Sequence, residues 1–229
     1  MKKFELTTES IYLLGIKLFR IKALVTFGCV KKGELGGFVE KEENLDHTGS
    51  AWIFGNAKVY GNARVYRDAR VSGNARVYGN ARVYGNAWVH GDARVSGNAN
   101  VYGNANVYGN ALVHGGAKVY EKAWLYGNAK VYGNALVHGD EEVSGNAEVS
   151  GNQMHATVKG FGSQYRNTTF FITRDRNICV NCGCFSGTLE QFRAKVKETH
   201  KDTKYAKEYL AIADLMEMHF KEELEKIKK

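Results

Sequence analysis

From Ile53 to Val149, every sixth residue is aliphatic, and that period excludes most folds. All 17 positions comply, with 15 valines, Ile53 and Leu125. Two residues after each aliphatic stands glycine in 15 of 17 cases; Arg67 and Glu121 are the exceptions. Four residues after it stands alanine, again in 15 of 17, with Glu141 and Gln153 breaking the rule. The residue between glycine and alanine is almost always Asn or Asp. A helix cannot use this text, because six does not match 3.6 residues per turn and a Gly-Asn pair in every hexad would dissolve it. A short strand ending in a corner can. The valine points inward, Gly-Asn tolerates the left-handed backbone of the corner, and alanine fills the narrow space beside it.

Three such strands, one from each of three hexads, close a triangular coil. The 17 hexads then give about 5.7 coils, or roughly 27 Å of prism at the usual strand spacing. The expected fold class is mainly β: a left-handed parallel β-helix with stacked interior columns and Asn ladders at its corners. With no proline, every interior N–H is free to join a ladder.

The flanks break the period. In residues 1–50, KFEL, IYLL and LFRIKALV read as short strands, followed by KKGELGGFVEKEENL. They are expected to form a β cap over the open first coil, whose edge would otherwise invite aggregation. The β-helix is expected over 51–154. Residues 155–229 read as a small α/β domain, with a hairpin turning at Asp175 to Asn177 in TFFITRDRNICVNCGCF. A first helix opens at the capping box Thr188/Gln191 and carries the apolar face Leu189, Phe192, Val196. A second starts near Thr203, with the stripe Tyr205, Tyr209, Ile212, Met216, Phe220, Leu224, Ile227. At the junction Glu141 takes an interior alanine position and His155 an interior valine position, so the repeat is expected to fray there.

The apolar run Ile11 to Val30 is interrupted by Lys17, Arg20 and Lys22. It alternates like a half-buried strand, so the chain reads as soluble and cytoplasmic. Three of the four cysteines crowd together as Cys179, Cys182 and Cys184, and Cys29 stands apart. Neither a disulfide framework nor a metal site is expected of them, and no cofactor is expected.

Residues three hexads apart share a face, so the outer surface can be read in columns. One face carries Trp52, Arg70, Trp88, Asn106, Trp124 and Glu142. Its three tryptophans on alternate coils are the expected interface of a homo-oligomer, with a trimer favoured. A second face carries Lys58, Arg76, Arg94, Leu112, Lys130 and Glu148. A third carries Arg64, Arg82, Asn100, Lys118 and Leu136 beside Tyr66, Tyr84, Tyr102, Tyr120 and His138. The net charge is +8, and it is unevenly distributed: Trp52 to Asn100 holds seven basic and two acidic residues, Val101 to Asn152 three basic and five acidic. The early coils are therefore the anion-attracting end. Arg64, Arg82, Lys118, Tyr66, Tyr84, Tyr102, Arg76 and Arg94 are the expected ligand-binding residues, suited to phosphates and stacked bases.

Catalysis finds less support. The hexad resembles that of acyltransferases, in which a histidine base works at a subunit interface and a loop leaving the coil shapes the acyl-carrier pocket. Here no insertion interrupts the hexads. The candidate bases His90, His114 and His138 are spaced by four hexads, one coil plus one face, which rotates each onto a different side.

The strings GELGGFVEKEENL, GNARVY and GCFSGTLEQFRAKVKETH resemble hexapeptide-repeat proteins of bacterial phages and prophages, often labelled transferases. The resemblance spans nearly the whole chain and implies the β-helix with its two flanking units. It carries no established catalytic residues. A phage setting implies a small protein that binds and neutralises a host component, such as a nucleotide signal, a nucleic acid or a defence protein. The expected function is thus non-catalytic binding of an anionic ligand or host partner, with an acyltransferase and a structural virion spacer as the rival readings.

Overall fold

A computed structural model of the chain describes residues 1–227. The hexad does what its chemistry requires. Seventeen two-residue strands run from Trp52–Ile53 to Glu148–Val149, each made of one outward residue followed by the inward aliphatic. Each of the first 14 strands pairs in parallel with the strand three hexads on, as in Arg64↔Arg82 and Val65↔Val83. These strands sort into three sheets, the sides of a β-solenoid. Within it the valines and alanines are fully buried, and each coil's N–H groups donate to the next, as in Arg82 N to Ala99 O at 2.9 Å and Tyr84 N to Val101 O at 3.0 Å.

The corners show why glycine recurs. Gly85 has φ +71°, and a Cβ built on it would lie 2.9 Å from the backbone N of Gly103 in the next coil. Glycine is required twice over, by the left-handed backbone and by the approach of the coil above. Arg67 (φ +62°) and Glu121 (φ +59°), the two departures from glycine, keep the left-handed turn. Each has a compensating contact. The Arg67 guanidinium lies 5.6 Å from the Tyr84 ring centroid. A Glu121 carboxylate oxygen accepts from Gly139 N at 2.8 Å. Glu121→Ala keeps the strained turn and loses that bond, so it should cost about 1 kcal/mol. Glu121→Gly loses the same bond but removes the left-handed penalty, of similar size, and should be near neutral. Urea titrations of the two variants check the order; Ala at or above Gly in stability would contradict it.

The N-terminal cap comprises β1 (Phe4–Leu13) and β2 (Ile16–Ala23), an antiparallel hairpin, and β3 (Leu35–Val39). KFEL and IYLL form one continuous strand rather than two. β3 pairs antiparallel with β2 on one side and parallel with the first solenoid strand of its sheet on the other, Val39 against Val59. Leu45 bridges Val65 in the same sense. Coil-like stacking therefore begins ahead of residue 51. Its partners are slightly further apart in sequence than three hexads, which hides it from a scan for the six-residue period. Buried polar groups complete the cap. Lys3 Nζ donates to Ala51 O at 2.9 Å, and burial, only partly opposed by Asp46 and Asp68, lowers its pKa to about 8. Asn44, with no exposed surface, donates to Gly61 O at 3.1 Å and Ala63 O at 2.9 Å.

The cap also corrects one expectation. Trp52 is fully buried, with its ring edge-on to Phe27 at 5.4 Å and to Phe4 at 6.4 Å. The N-terminal segment lies over that part of the face, so Trp52 belongs to the core and not to an exposed tryptophan ladder.

At the other end, β4 (His155–Val158), β5 (Thr168–Ile172), β6 (Ile178–Cys182) and β7 (Phe185–Thr188) form an antiparallel sheet in that order. The expected hairpin is β5–β6, with Ile172 opposite Ile178; the two outer strands are additions that the sequence pattern does not reveal. α1 (Leu189–His200) opens on the capping box, Thr188 Oγ1 accepting from Gln191 N at 3.2 Å and Gln191 Oε1 accepting from Thr188 N at 2.9 Å. Leu189, Phe192 and Val196 are buried, as are Tyr209, Ile212, Met216 and Phe220 of α2 (Lys204–Ile227). Tyr205 and Leu224 are half-buried; the Ile227 side chain and residues 228–229 lie outside the described residues.

Glu141 and His155 do not fray. Both are buried, and His155 Nε2 lies 3.2 Å from Glu141 Oε2, which also accepts from His138 N at 3.0 Å. Burial pushes the Glu141 carboxyl up, but the bonds and charges of His155 and His138 together outweigh it and hold the group below the ordinary range. A carboxyl depressed on folding contributes stability that is present above its unfolded pKa and is lost as pH falls through the folded value. Glu141→Ala should therefore cost about 1–3 kcal/mol at neutral pH by leaving His155 without its partner. The deficit should shrink as pH falls below the ordinary carboxylate range. Melting of both proteins across that range is the check; a deficit independent of pH would contradict it.

Candidate functional site

The parallel register turns the three-hexad spacing into columns. On the five-stranded sheet Arg64 pairs with Arg82, Arg82 with Asn100, and Asn100 with Lys118. Two guanidiniums thus stand on consecutive coils, roughly 4.8 Å apart along the column at the backbone. Both are exposed. Among the described residues neither makes an ion pair; the ion pairs lie toward the two ends of the chain. Like charges held side by side without a counter-charge attract an anion.

A groove of about 390 Å³ runs along this column, lined by Asn62, Arg64, Asn80, Arg82, Asn98 and Asn100. The corner asparagines are held by one another: Asn62 Nδ2 donates to Asn80 Oδ1 at 3.2 Å and Asn80 Nδ2 to Asn98 Oδ1 at 3.1 Å. Lys41 Nζ closes the ladder by donating to Asn62 Oδ1 at 3.2 Å. Each interior amide of the ladder gives one N–H to its neighbour and keeps a second. The groove lining therefore carries both guanidinium and amide donors. Sequence columns identified Arg64 and Arg82 but not Asn62, Asn80 and Asn98. Their own three-hexad spacing was the available signal.

Beside the arginines the aromatic column is continuous. Tyr66 stacks on Tyr84 at 4.8 Å between centroids, Tyr84 on Tyr102 at 4.9 Å, Tyr102 on Tyr120 at 5.0 Å, and Tyr120 on His138 at 5.3 Å. These rings use their faces on each other. Base stacking needs a free ring face, so the interior rungs, against the expectation of a stacking platform for bases, offer ring edges and hydroxyls instead. Burial raises the Tyr66 phenol and Tyr84 adds to the effect, while the charges of Arg82, Arg67 and Arg64 oppose it. At Tyr102 burial, Tyr84, Tyr120 and the carboxylate of Glu121 all raise the phenol. The column is thus cationic at its early end and loses that character along the helix.

The other expected residues are separated from this groove. Lys118 follows Asn100, two coils beyond Arg82. Arg76 and Arg94 pair with each other on the nine-stranded sheet, a different side of the solenoid. There burial, reinforced by Arg76, lowers the Lys58 pKa. Arg67, which the columns do not single out, joins the Arg64–Arg82 side through Tyr84.

Trp88 and Trp124 remain on the six-stranded sheet, 43% and 46% exposed, separated by Asn106. Trp88 Nε1 donates to Ser72 Oγ at 3.1 Å. The three histidines follow strands of three different sheets. His90 Nε2 lies 3.1 Å from Asn106 Oδ1; burial lowers its pKa and that bond partly restores it. His114 stacks on Tyr132 at 5.1 Å. In the C-terminal unit, Thr168 Oγ1 donates to Cys182 Sγ at 3.2 Å. All four cysteines are free, and no group of three or more metal-ligating side chains gathers among the described residues. No helix among those residues is long and apolar enough to cross a membrane.

Residues 57–73 and 75–91, which contain this groove's two arginines, match the YdcK β-solenoid repeat family. The chain is a β-helix repeat protein. No match to a curated protein is found. The matched β-solenoid segments fall in the basic early coils, where Arg64 and Arg82 stand.

Proposed function

We propose that this β-helix protein is a non-catalytic binding protein that holds a phosphate-bearing ligand, a nucleotide or a single-stranded nucleic acid, along the Arg64–Arg82 groove. The observation that carries this reading is the pair of arginines on consecutive coils, lining one groove with the corner amides and with no ion-pair partner among the described residues. Guanidinium and amide N–H groups together satisfy phosphate oxygens bidentately. A regular cation column also suits a ligand whose charges repeat. The placement of His90, His114 and His138 on three sheets supports binding over catalysis by a shared histidine site. Calorimetry with mononucleotides, cyclic dinucleotides and short single strands tests the reading. Saturable binding that depends on Arg64 and Arg82 supports it, and absence of binding by every probe at low salt overturns it.

A further inference from the structure

The end of the solenoid opposite the arginine groove holds a second cavity, of about 340 Å³, between the last coil and the C-terminal sheet. Asn181 on β6 lines it and is only 4% exposed. Its Nδ2 donates to Glu142 O at 3.1 Å and to Ser144 Oγ at 2.8 Å. That pair of bonds fixes the amide, because a flipped amide would set oxygen against the Glu142 carbonyl. Asn181 Oδ1 is then held buried with no donor among the described residues. Buried acceptors without a donor are rare and costly in folded proteins.

The remaining walls complete a pattern. Lys159 is occupied by Asp140 at 3.3 Å. Arg166 makes no ion pair or hydrogen bond among the described residues. Its guanidinium packs on Gly183, where a Cβ would lie 2.4 Å from Nη1, so the bare backbone there seats the side chain. Among the described residues the Glu142 carboxylate is held only by the Tyr126 hydroxyl, at 3.4 Å. The lining thus carries two carboxylates, Asp140 and Glu142, against two cations, Lys159 and Arg166. Its formal charge balances. An electroneutral cavity with one unused cation, one orphaned amide oxygen and a carboxylate bonded through one oxygen suits a small molecule that is itself both donor and anion.

We propose that this cavity binds a free α-amino acid, its ammonium donating to Asn181 Oδ1 and the Glu142 carboxylate, and its carboxylate held by Arg166. The site shares no residue with the Arg64–Arg82 groove and does not depend on it. Calorimetry on the full chain, with the standard free amino acids added one at a time, tests the proposal. At least one should bind. Its N-acetyl derivative and its methyl ester, which each remove one of the two charges, should bind about tenfold or more weakly. Arg166→Gln, at an exposed position, should weaken binding by about the same factor without lowering the melting temperature. Asn181→Ser should weaken it too; should that variant fail to fold, Arg166→Gln and the two derivatives decide the matter. Arg64→Glu with Arg82→Glu should leave amino-acid binding unchanged. Failure of every amino acid to bind overturns the proposal, as does binding indifferent to Arg166→Gln or to acetylation.

Discussion

Gly85→Val should destabilise the solenoid by about 2–5 kcal/mol, combining the left-handed backbone penalty with overpacking against a fixed neighbour. Two independent facts set that size. The residue sits at φ +71°, where a β-branched side chain is a steric outlier. Its Cβ would also meet Gly103 N at 2.9 Å and Gly103 O at 3.1 Å. Those atoms are backbone, and Gly103 O accepts from Asn86 N at 2.7 Å, so relief requires prising two coils apart. Gly145 supplies the control. It has φ +63°, but nothing stands within 4 Å of a Cβ there. Gly145→Val should show the backbone penalty alone and be clearly milder. Chemical denaturation of the two variants measures the difference. Equal losses would mean that the contact between stacked corners adds nothing.

The second large effect concerns binding. Arg64→Glu combined with Arg82→Glu should weaken a short single strand by about 100-fold or more at low salt, since hydrogen bonds to charged groups are worth about 1.5–3 kcal/mol each. It should also flatten the salt dependence. Each phosphate contact contributes about −0.7 to the slope of log K against log salt for single strands, so the slope should lose about 1.4 in magnitude. Arg70→Glu is the informative comparison. It changes charge in the same direction but stands on the six-stranded sheet, against Trp88 and Trp52. A ligand seated in the groove should be little affected by it, apart from a modest long-range term. If reversal of Arg70 were as damaging per charge, the chain would be a diffuse polycation and not a protein with a located site. Arg64 and Arg82 are exposed and outside the core, so lost binding is separable from lost folding by circular dichroism.

The arginine columns were legible in the chain because a parallel solenoid converts spacing into adjacency. Tyr66 and Tyr84, three hexads apart, stack at 4.8 Å. What the columns could not convey was the use made of each face. Parallel rings at coil spacing occupy one another, which leaves the interior rungs with edges and hydroxyls and no free face. The corner residues show the same limit. Arg67 reads as a missing glycine, yet its guanidinium reaches the Tyr84 ring from a strained turn.

The six-residue period by itself determined the coil, its three sides, its buried Val and Ala columns and its glycine corners, and the placing of charges along it gave the cationic early end. It could do so because each rung contacts only its copies one coil away, so local text and tertiary neighbour are the same information. Only the tertiary structure decided that Trp52 is core, that Val39 and Leu45 already stack on the solenoid, that Glu141 pairs with His155, and that Asn181 and Arg166 meet Glu142 around a cavity. Those arrangements join segments of unlike sequence across irregular distances, where no period relates one partner to the other and packing alone selects them.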